Sequence, residues 1–477
     1  MTLRIGTADR ALHQARRWLH LPVEVQARGL HSRLFLASSA AERGYGTVVG
    51  RKGDLAALAV ELPRGIYLEK SCQLPVDGYE ARHAIGHSVC CLDEEGVVYI
   101  DAEDYAASRL AVATMELFER FFAWGDDQAA VVAGFHPPSS ERIIVTGNPR
   151  VDLWRPELRT IYEADAEALR QRYGSFVLLP TAFAMVNNSR GPRHHLEVVA
   201  INGMLDTEEG TKRAHGYLEH HGALFEATCK TIVRVAEAVP DRAVVIRPHP
   251  AEDLAAWERV AAMADNLTVV REGPVTPWLL AADAIVHSNC TTGLEGFLMG
   301  RPTIAFAPRQ DVRYDQNLPN RVSQLATDED ELIDLVRANL EHRQHAATAS
   351  AMELVSRHIA ALEGPFAAER LVDAFDEIDV PALPLEPSLA RRAQGQLALA
   401  ALRARRLARS ARGRTRSSRP ESTANNRAPG KFPGSSVAEA RSFIEQLRGA
   451  TGRFADVACF ELGPNVYAIV PSEADPG

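Results

Sequence analysis

The chain has 477 residues, 46% of them hydrophobic and 24% charged, with a formal charge of -9. That length is too great for one compact core and predicts two large domains, while the composition is that of a soluble globular protein. The acidic balance argues against nucleic acid as a general partner, because phosphate-binding chains carry a basic excess.

Six cysteines, Cys72, Cys90, Cys91, Cys229, Cys290 and Cys459, show no CxxC pair and no zinc-type spacing,. A reduced, cytoplasmic compartment is the expectation. The opening stretch lacks the apolar run of a signal peptide, and no segment approaches the ~20 apolar residues that cross a bilayer.

In chain order, a helix is predicted over Ser32–Arg43, with strands at Thr47–Val49, Gly65–Leu68 and Ser88–Leu92. The last of these runs into Asp93-Glu94-Glu95-Gly96. A helix over Ser108–Phe122 and a strand at Ile143–Val145 lead to the turn Thr146-Gly147-Asn148-Pro149-Arg150. After a helical connector, Ala164–Tyr173, strands are predicted at Phe176–Leu179, Ala243–Ile246, Leu267–Val270, Ala284–His287 and Thr303–Phe306. Helices between them fall at Tyr217–Val239, Ala251–Ala264, Pro277–Ala282 and Thr292–Met299. This alternation indicates βαβ units and parallel sheets. The fold expected is α/β, two Rossmann-like lobes facing a cleft.

The pattern changes at Val380-Pro381. From Arg391 to Lys431 the chain is rich in Arg, Ser, Pro and Gly, and it reads either as a solvated linker or as a peripheral contact with anionic lipid through 402–419. A helix at Val437–Leu447 and strands near Val457–Phe460 and Tyr467–Val470 then form a small αββ module.

Three stretches carry chemistry. In the first, a strand ends at Arg247-Pro248-His249-Pro250 and a helix is expected with Pro250 at its first position, where the missing N–H costs nothing. Ligands sit outside the carboxyl ends of strands in open α/β sheets. Arg247, His249 and the free amides of the helix start therefore suit a phosphate; the plainer reading is a capped turn whose histidine packs. The second, His287-Ser288-Asn289-Cys290-Thr291-Thr292, also leads from a strand into a helix. Ser288, Asn289, Thr291 and Thr292 offer donors to phosphate or sugar hydroxyls, and Glu295 lies one turn on. Its plainer reading is an ordinary cap. The third is the acidic turn Asp93-Glu94-Glu95, where crowding should raise at least one pKa. There a carboxylate can serve as general base or nucleophile, or the turn is simply solvated. His83 and His87 stand near it, to hold an acceptor or merely to pack.

The ordered set Asp93-Glu94-Glu95-Gly96, Thr146-Gly147-Asn148-Pro149-Arg150, Arg247-Pro248-His249-Pro250 and His287-Ser288-Asn289-Cys290-Thr291-Thr292-Gly293 resembles the bacterial surface carbohydrate biosynthesis proteins. That family looks like the GT-B glycosyltransferases, related to CMP-sialic acid and CMP-Kdo transferases. The resemblance spans residues 20 to 375. It implies a metal-independent transferase moving a sugar, such as Kdo, from a CMP-linked donor onto a glycan or lipid-linked acceptor of capsule or lipopolysaccharide, with no cofactor. It implies Glu94, Glu95 or Asp93 as the catalytic acid. The donor would be held by Arg247, His249, Pro250, His287, Ser288, Asn289, Thr291, Thr292 and Glu295. One departure is that the serine element reads Ser288-Asn289 in place of Ser-Ser or Ser-Thr. An epimerase of NDP-sugars, a polyol-phosphate transferase and a non-catalytic scaffold remain as alternatives. The domains expected are 1–170 (acceptor and catalysis), 171–375 (donor), 376–435 (linker) and 436–477 (appended module).

Overall fold

The computed structural model describes residues 10–73, 75–191, 193–201, 204–315, 317–341, 348–411 and 431–472. The chain divides into two compact units. The first comprises Met1–Gly96, Glu103–Leu153 and Ser356–Gly477, and the second Val97–Ala102 and Trp154–Val355.

In the first unit six parallel strands, β1 (Arg17–Val23), β2 (Tyr45–Arg51), β3 (Ile66–Glu69), β4 (Ser88–Leu92), β5 (Arg120–Ala123) and β6 (Ile143–Val145), lie in the order β2-β1-β3-β4-β5-β6. Chain order reverses between β1 and β3. β1 is central and covered on both faces, so Trp18, Leu19, Leu21 and Val23 are all fully buried, as parallel strands require. Pairing of β1 with β3 is registered only at Leu19 and His20, which lets Pro22 sit in the strand beyond it,. The helix expected over Ser108–Phe122 is instead two short helices, Ala102–Arg109 and Val112–Met115, followed by β5. Phe121 and Phe122 are β-prone aromatics whose burial is worth more between β4 and β6 than on a helix face,.

The second unit is a six-stranded parallel sheet of β7 (Phe176–Pro180), β8 (Ala243–Arg247), β9 (Leu267–Val269), β10 (Ala284–His287), β11 (Thr303–Phe306) and β12 (Gln324–Ala326), ordered β12-β11-β10-β7-β8-β9. Here the reversal falls between β7 and β10. Its core includes Val177, Ile246, Val286, Ile304 and Trp257, with the long helix Glu208–Ala238 contributing Leu224, Ile232 and Val235. Both units thus have the expected α/β architecture.

The segment after 436, read from sequence as an appended module, belongs to the first unit. Its hairpin, β13 (Val457–Gly463) and β14 (Val466–Pro471), pairs antiparallel with β2 and extends that sheet to eight strands. Leu462, Val466, Ala468 and Val470 enter one core with Trp18, Val48 and Leu12. A strand alternating apolar side chains on both faces needs a partner sheet, and the open edge of β2 provides it. Part of the expected linker, Leu389–Ala411, is a helix; residues 412–430, with the second part of the expected 402–419 lipid contact, lie outside the described residues. Among the described residues no helix is long and apolar enough to cross a membrane.

Candidate active site at the strand ends

In the second unit the two histidine-bearing stretches follow β8 and β10, the two neighbours of β7. At a strand spacing of about 4.8 Å they lie roughly 10 Å apart across the reversal point. The side chains there differ from expectation in instructive ways.

The helix after β8 does not start at Pro250. It runs Leu254–Ala261 with Asp253 as N-cap, its carboxylate accepting from the Ala255 amide at 3.1 Å. The intervening loop folds around Glu252, which is 1% exposed. Its Oε1 accepts from Thr181 Oγ1 at 2.7 Å, the Phe183 amide at 3.0 Å and the His249 amide at 3.2 Å, and its Oε2 from Trp257 Nε1 at 2.7 Å. Burial pushes the Glu252 carboxyl up, and those four donors oppose the shift. The loop's amide anion site is therefore filled by the protein's own carboxylate. Arg247 likewise turns away from any ligand: its Nη1 donates to the Glu272 carbonyl at 2.7 Å and its Nη2 to the Gly273 carbonyl, with the guanidinium over the Trp278 ring. His249 is half-buried, and its Nδ1 accepts from the Ala251 amide at 3.2 Å. That bond puts the ring proton on Nε2, which makes Nε2 a donor. Pro250 beside it is also half-buried.

After β10, His287 is fully buried and held neutral, its pKa lowered by burial to about 3. Its Nε2 meets Ser323 Oγ at 2.8 Å, and the next helix packs so closely that a Cβ on Gly293 would stand 2.2 Å from that nitrogen. His287 is a structural post under the helix Thr291–Leu298, where sequence pointed to a ligand contact. Ser288 Oγ donates to the Phe306 carbonyl at 3.0 Å. Asn289 sits at φ +50°, gives Nδ2 to Asp315 at 2.9 Å and takes Asn320 Nδ2 at 2.6 Å. Asp315 also holds His220 Nε2 at 2.7 Å. Thr292 Oγ1 lies 3.0 Å from Cys290 Sγ, and Glu295 is buried. No side chain caps this helix at Cys290, and Thr291 is half-buried at its first position. A helix start without a side-chain cap has first-turn amides of the kind that suit an anion.

In the first unit the acidic turn follows β4 directly. Asp93 is fully buried, accepts from Tyr105 Oη at 2.8 Å and pairs with Arg109. Glu94 is half-buried and pairs with the buried Arg33 at 3.4 Å. Glu95 pairs with Arg28 at 3.0 Å. Burial works to raise the Glu95 carboxyl, but Arg28, Arg109 and Arg150 outweigh it and hold it down at about 2. The expectation of a raised pKa through crowded acids misjudged the neighbours: arginines from the helix Gln26–Glu42, from Ala102–Arg109 and from the turn after β6 surround the acids. Gly96 is needed for close approach, since a Cβ there would lie 2.4 Å from Gln128 Nε2. The turn after β6 is set by Gly147 at φ +82° and by Asn148, whose Oδ1 caps the Arg150 amide at 2.9 Å. His83 Nε2 meets the Leu117 carbonyl at 2.6 Å, while His87 is buried edge-on to His20. Both serve packing.

The residues missed from sequence are Thr181, Glu252, His220 and Asp315 in one unit, and Arg28, Arg33 and Arg109 in the other. One signal was present: Thr181 follows β7 as directly as His249 follows β8, so the strand-end rule points to it too. Among the described residues no group of three His, Cys, Asp or Glu could hold a metal ion.

The topology and these loops define a two-unit parallel α/β protein with ligand-type strand ends in each unit. No family model and no curated protein matches the chain. Among solved structures it is similar to the wall teichoic acid polymerase TagF, at 10% identity and TM-score 0.46 over 76% of this chain and 88% of that one. It is similar to the UDP-GlcNAc 2-epimerase of Methanocaldococcus jannaschii, at 12% identity and TM-score 0.47 over 75% of this chain and 99% of that one. The Neisseria meningitidis UDP-GlcNAc 2-epimerase gives 12% and 0.47 over 76% and 99%. Likenesses this remote do not bear on substrate or reaction.

Proposed function

We propose that the chain is a glycosyltransferase of the two-lobed GT-B kind, moving a sugar from a nucleotide donor to a surface glycan. The observation that carries the reading is the pair of loops after β8 and β10, either side of β7 at the reversal point of the second sheet. Their spacing of roughly 10 Å is the scale of a nucleoside phosphate. In this reading His249 Nε2 donates to phosphate or ribose. Thr291 and the first-turn amides behind it take the leaving phosphate. Glu252, His287, Ser288 and Asn289 hold those groups in place.

The first unit supplies the acceptor side. Asp93 is spent on Tyr105 and Arg109, and Glu95 is too weak a base at about 2. Glu94 is the remaining candidate for the general base. It takes the proton of the acceptor hydroxyl as that oxygen bonds to the anomeric carbon. The bond from that carbon to the donor phosphate breaks, and the nucleotide leaves with the electron pair. The step calls on no cation and no cofactor. The motif resemblance supports CMP as the nucleotide, a 3-deoxy-ulosonic acid such as Kdo as the sugar, and a capsule or lipopolysaccharide acceptor at the inner face of the plasma membrane.

Thermal melts with CMP, UMP and CDP test the donor. A ligand at 100 times its Kd adds about 2.7 kcal/mol, so CMP should raise the melting temperature, and no response to any of the three would overturn the reading. Glu94→Gln should abolish CMP release from CMP-Kdo in the presence of envelope glycan while leaving the CMP shift intact. Full activity in that variant removes Glu94 from the mechanism, and a sugar altered without any acceptor would mark an epimerase instead.

A further inference from the structure

The helix Leu389–Ala411 has six arginines, at 391, 392, 403, 405, 406 and 409, and no acid, in a chain whose formal charge is -9. It packs on the first unit through Gly395, whose Cβ position lies 3.3 Å from Val60 and 3.8 Å from Ile85. Leu389, Leu397 and Leu407 face the other way, at 84%, 71% and 71% exposure. Leu389 and Leu407 are about five turns apart and point in one direction, and Leu397 stands about 80° from them. Ala393, Ala400 and Ala404 share that exposed face. Arg392 and Arg403 flank it, each one turn from a leucine.

At the start of the helix the charges are uncompensated. Arg391 Nε and Nη2, Arg392 Nε and Arg64 Nε are buried nitrogens without a hydrogen-bond partner. Arg64 lies against Gly86, one residue from the Ile85 that Gly395 touches, so the three arginines gather where the helix meets the body. Burial lowers the Arg391 pKa first, and Arg64 lowers it further. Arg64 and Arg391, both half-buried, thus belong to the contact with the body, on the side away from the leucine stripe.

We propose that this helix lies flat on an anionic lipid surface, with its leucine stripe among the acyl chains and the flanking Arg392 and Arg403 on headgroup phosphates. Charge complementarity selects that occupant: a leucine face rimmed by arginines is the make-up of interfacial helices. The contact runs from Leu389 to Leu407 and so overlaps only the first part of 402–419. It is independent of the transfer reaction, because vesicle binding is read without donor or acceptor.

The test is co-sedimentation of the full chain with vesicles of phosphatidylcholine, with and without one-third phosphatidylglycerol. Binding should need phosphatidylglycerol and fall in high salt. Leu397→Gln combined with Leu407→Gln, both exposed and safe for folding, should weaken it about tenfold. Arg392→Gln and Arg403→Gln should each weaken it roughly fivefold. Equal binding by all variants overturns the proposal. So does a phosphate-induced melting shift lost in Arg391→Gln without vesicle binding, which would mark a soluble phosphate site. Binding to duplex DNA that these variants abolish, with no vesicle binding, would mark a nucleic-acid surface instead.

Discussion

Glu252 shows how one side chain can decide the geometry of a site without facing a ligand. It gathers a hydroxyl, two amides and an indole N–H from three separate stretches, Thr181–Phe183, His249 and Trp257. Glu252→Ala leaves three buried donors and the half-buried His249 amide without this acceptor, so we expect a loss of about 3 kcal/mol in urea unfolding, along with loss of the nucleotide-induced melting shift. A change below 0.5 kcal/mol, the range of neutral surface substitutions, would contradict this role. Candidate residues were legible in sequence as types at strand ends. Their partners were not, because Thr181 and Glu252 are 71 residues apart and Asp315 reaches His220 across 95. Arg247 and His287 have the right types in the right places, yet face the protein's own carbonyls and hydroxyls.

At the scale of elements, strands buried on both faces were readable where apolar residues run unbroken. The expected Ser88–Leu92, Ala284–His287 and Thr303–Phe306 are also the strands observed, and so is the half-buried edge strand Ile143–Val145. β1 escaped because Arg17, His20 and Pro22 interrupt its apolar run, and β5 because its aromatics follow a helical stretch without a glycine or proline stop. Contact between elements depends on small residues that periodicity does not reveal. The helix Thr291–Leu298 touches the His287 ring through Gly293. Gly293→Ala should cost about 2 kcal/mol by overpacking, measured as a lower urea midpoint at constant slope. An unchanged midpoint would mean that the helix can back away from the histidine at no cost.

For the whole molecule, pH response follows from histidines that burial holds neutral. Burial holds His20, His31 and His221 at about 4, His287 at about 3 and His87 well below its usual value, with neighbouring His20, Arg82 and His83 adding to the effect on His87 and His220 adding to that on His221. Their folded pKa values lie below the unfolded value near 6.5. The stability they contribute is therefore complete above pH 6.5 and is lost as pH falls toward 4. Glu95, held at about 2 against an ordinary 4.5, loses its contribution only below that ordinary value. Melting temperature should thus drop by roughly 10 °C between pH 7.5 and pH 5, through the histidines and before the carboxylates respond. A flat profile over that interval would contradict the burial of these rings.

The hairpin that closes the first sheet also sets an order of events at the ribosome. β2 ends at Arg51, and the strand bordering it begins at Val466. Between them the chain passes through all of the second unit, which has its whole sheet before the final hairpin is made. A nascent chain therefore carries Tyr45–Arg51 as an unpaired strand edge throughout most of its synthesis. The second unit can mature early, while the first waits for the last strands to arrive, a pairing of high contact order and slow formation. Such an edge is a template for association with other chains. Cells making this protein have reason to keep it chaperoned until the hairpin docks.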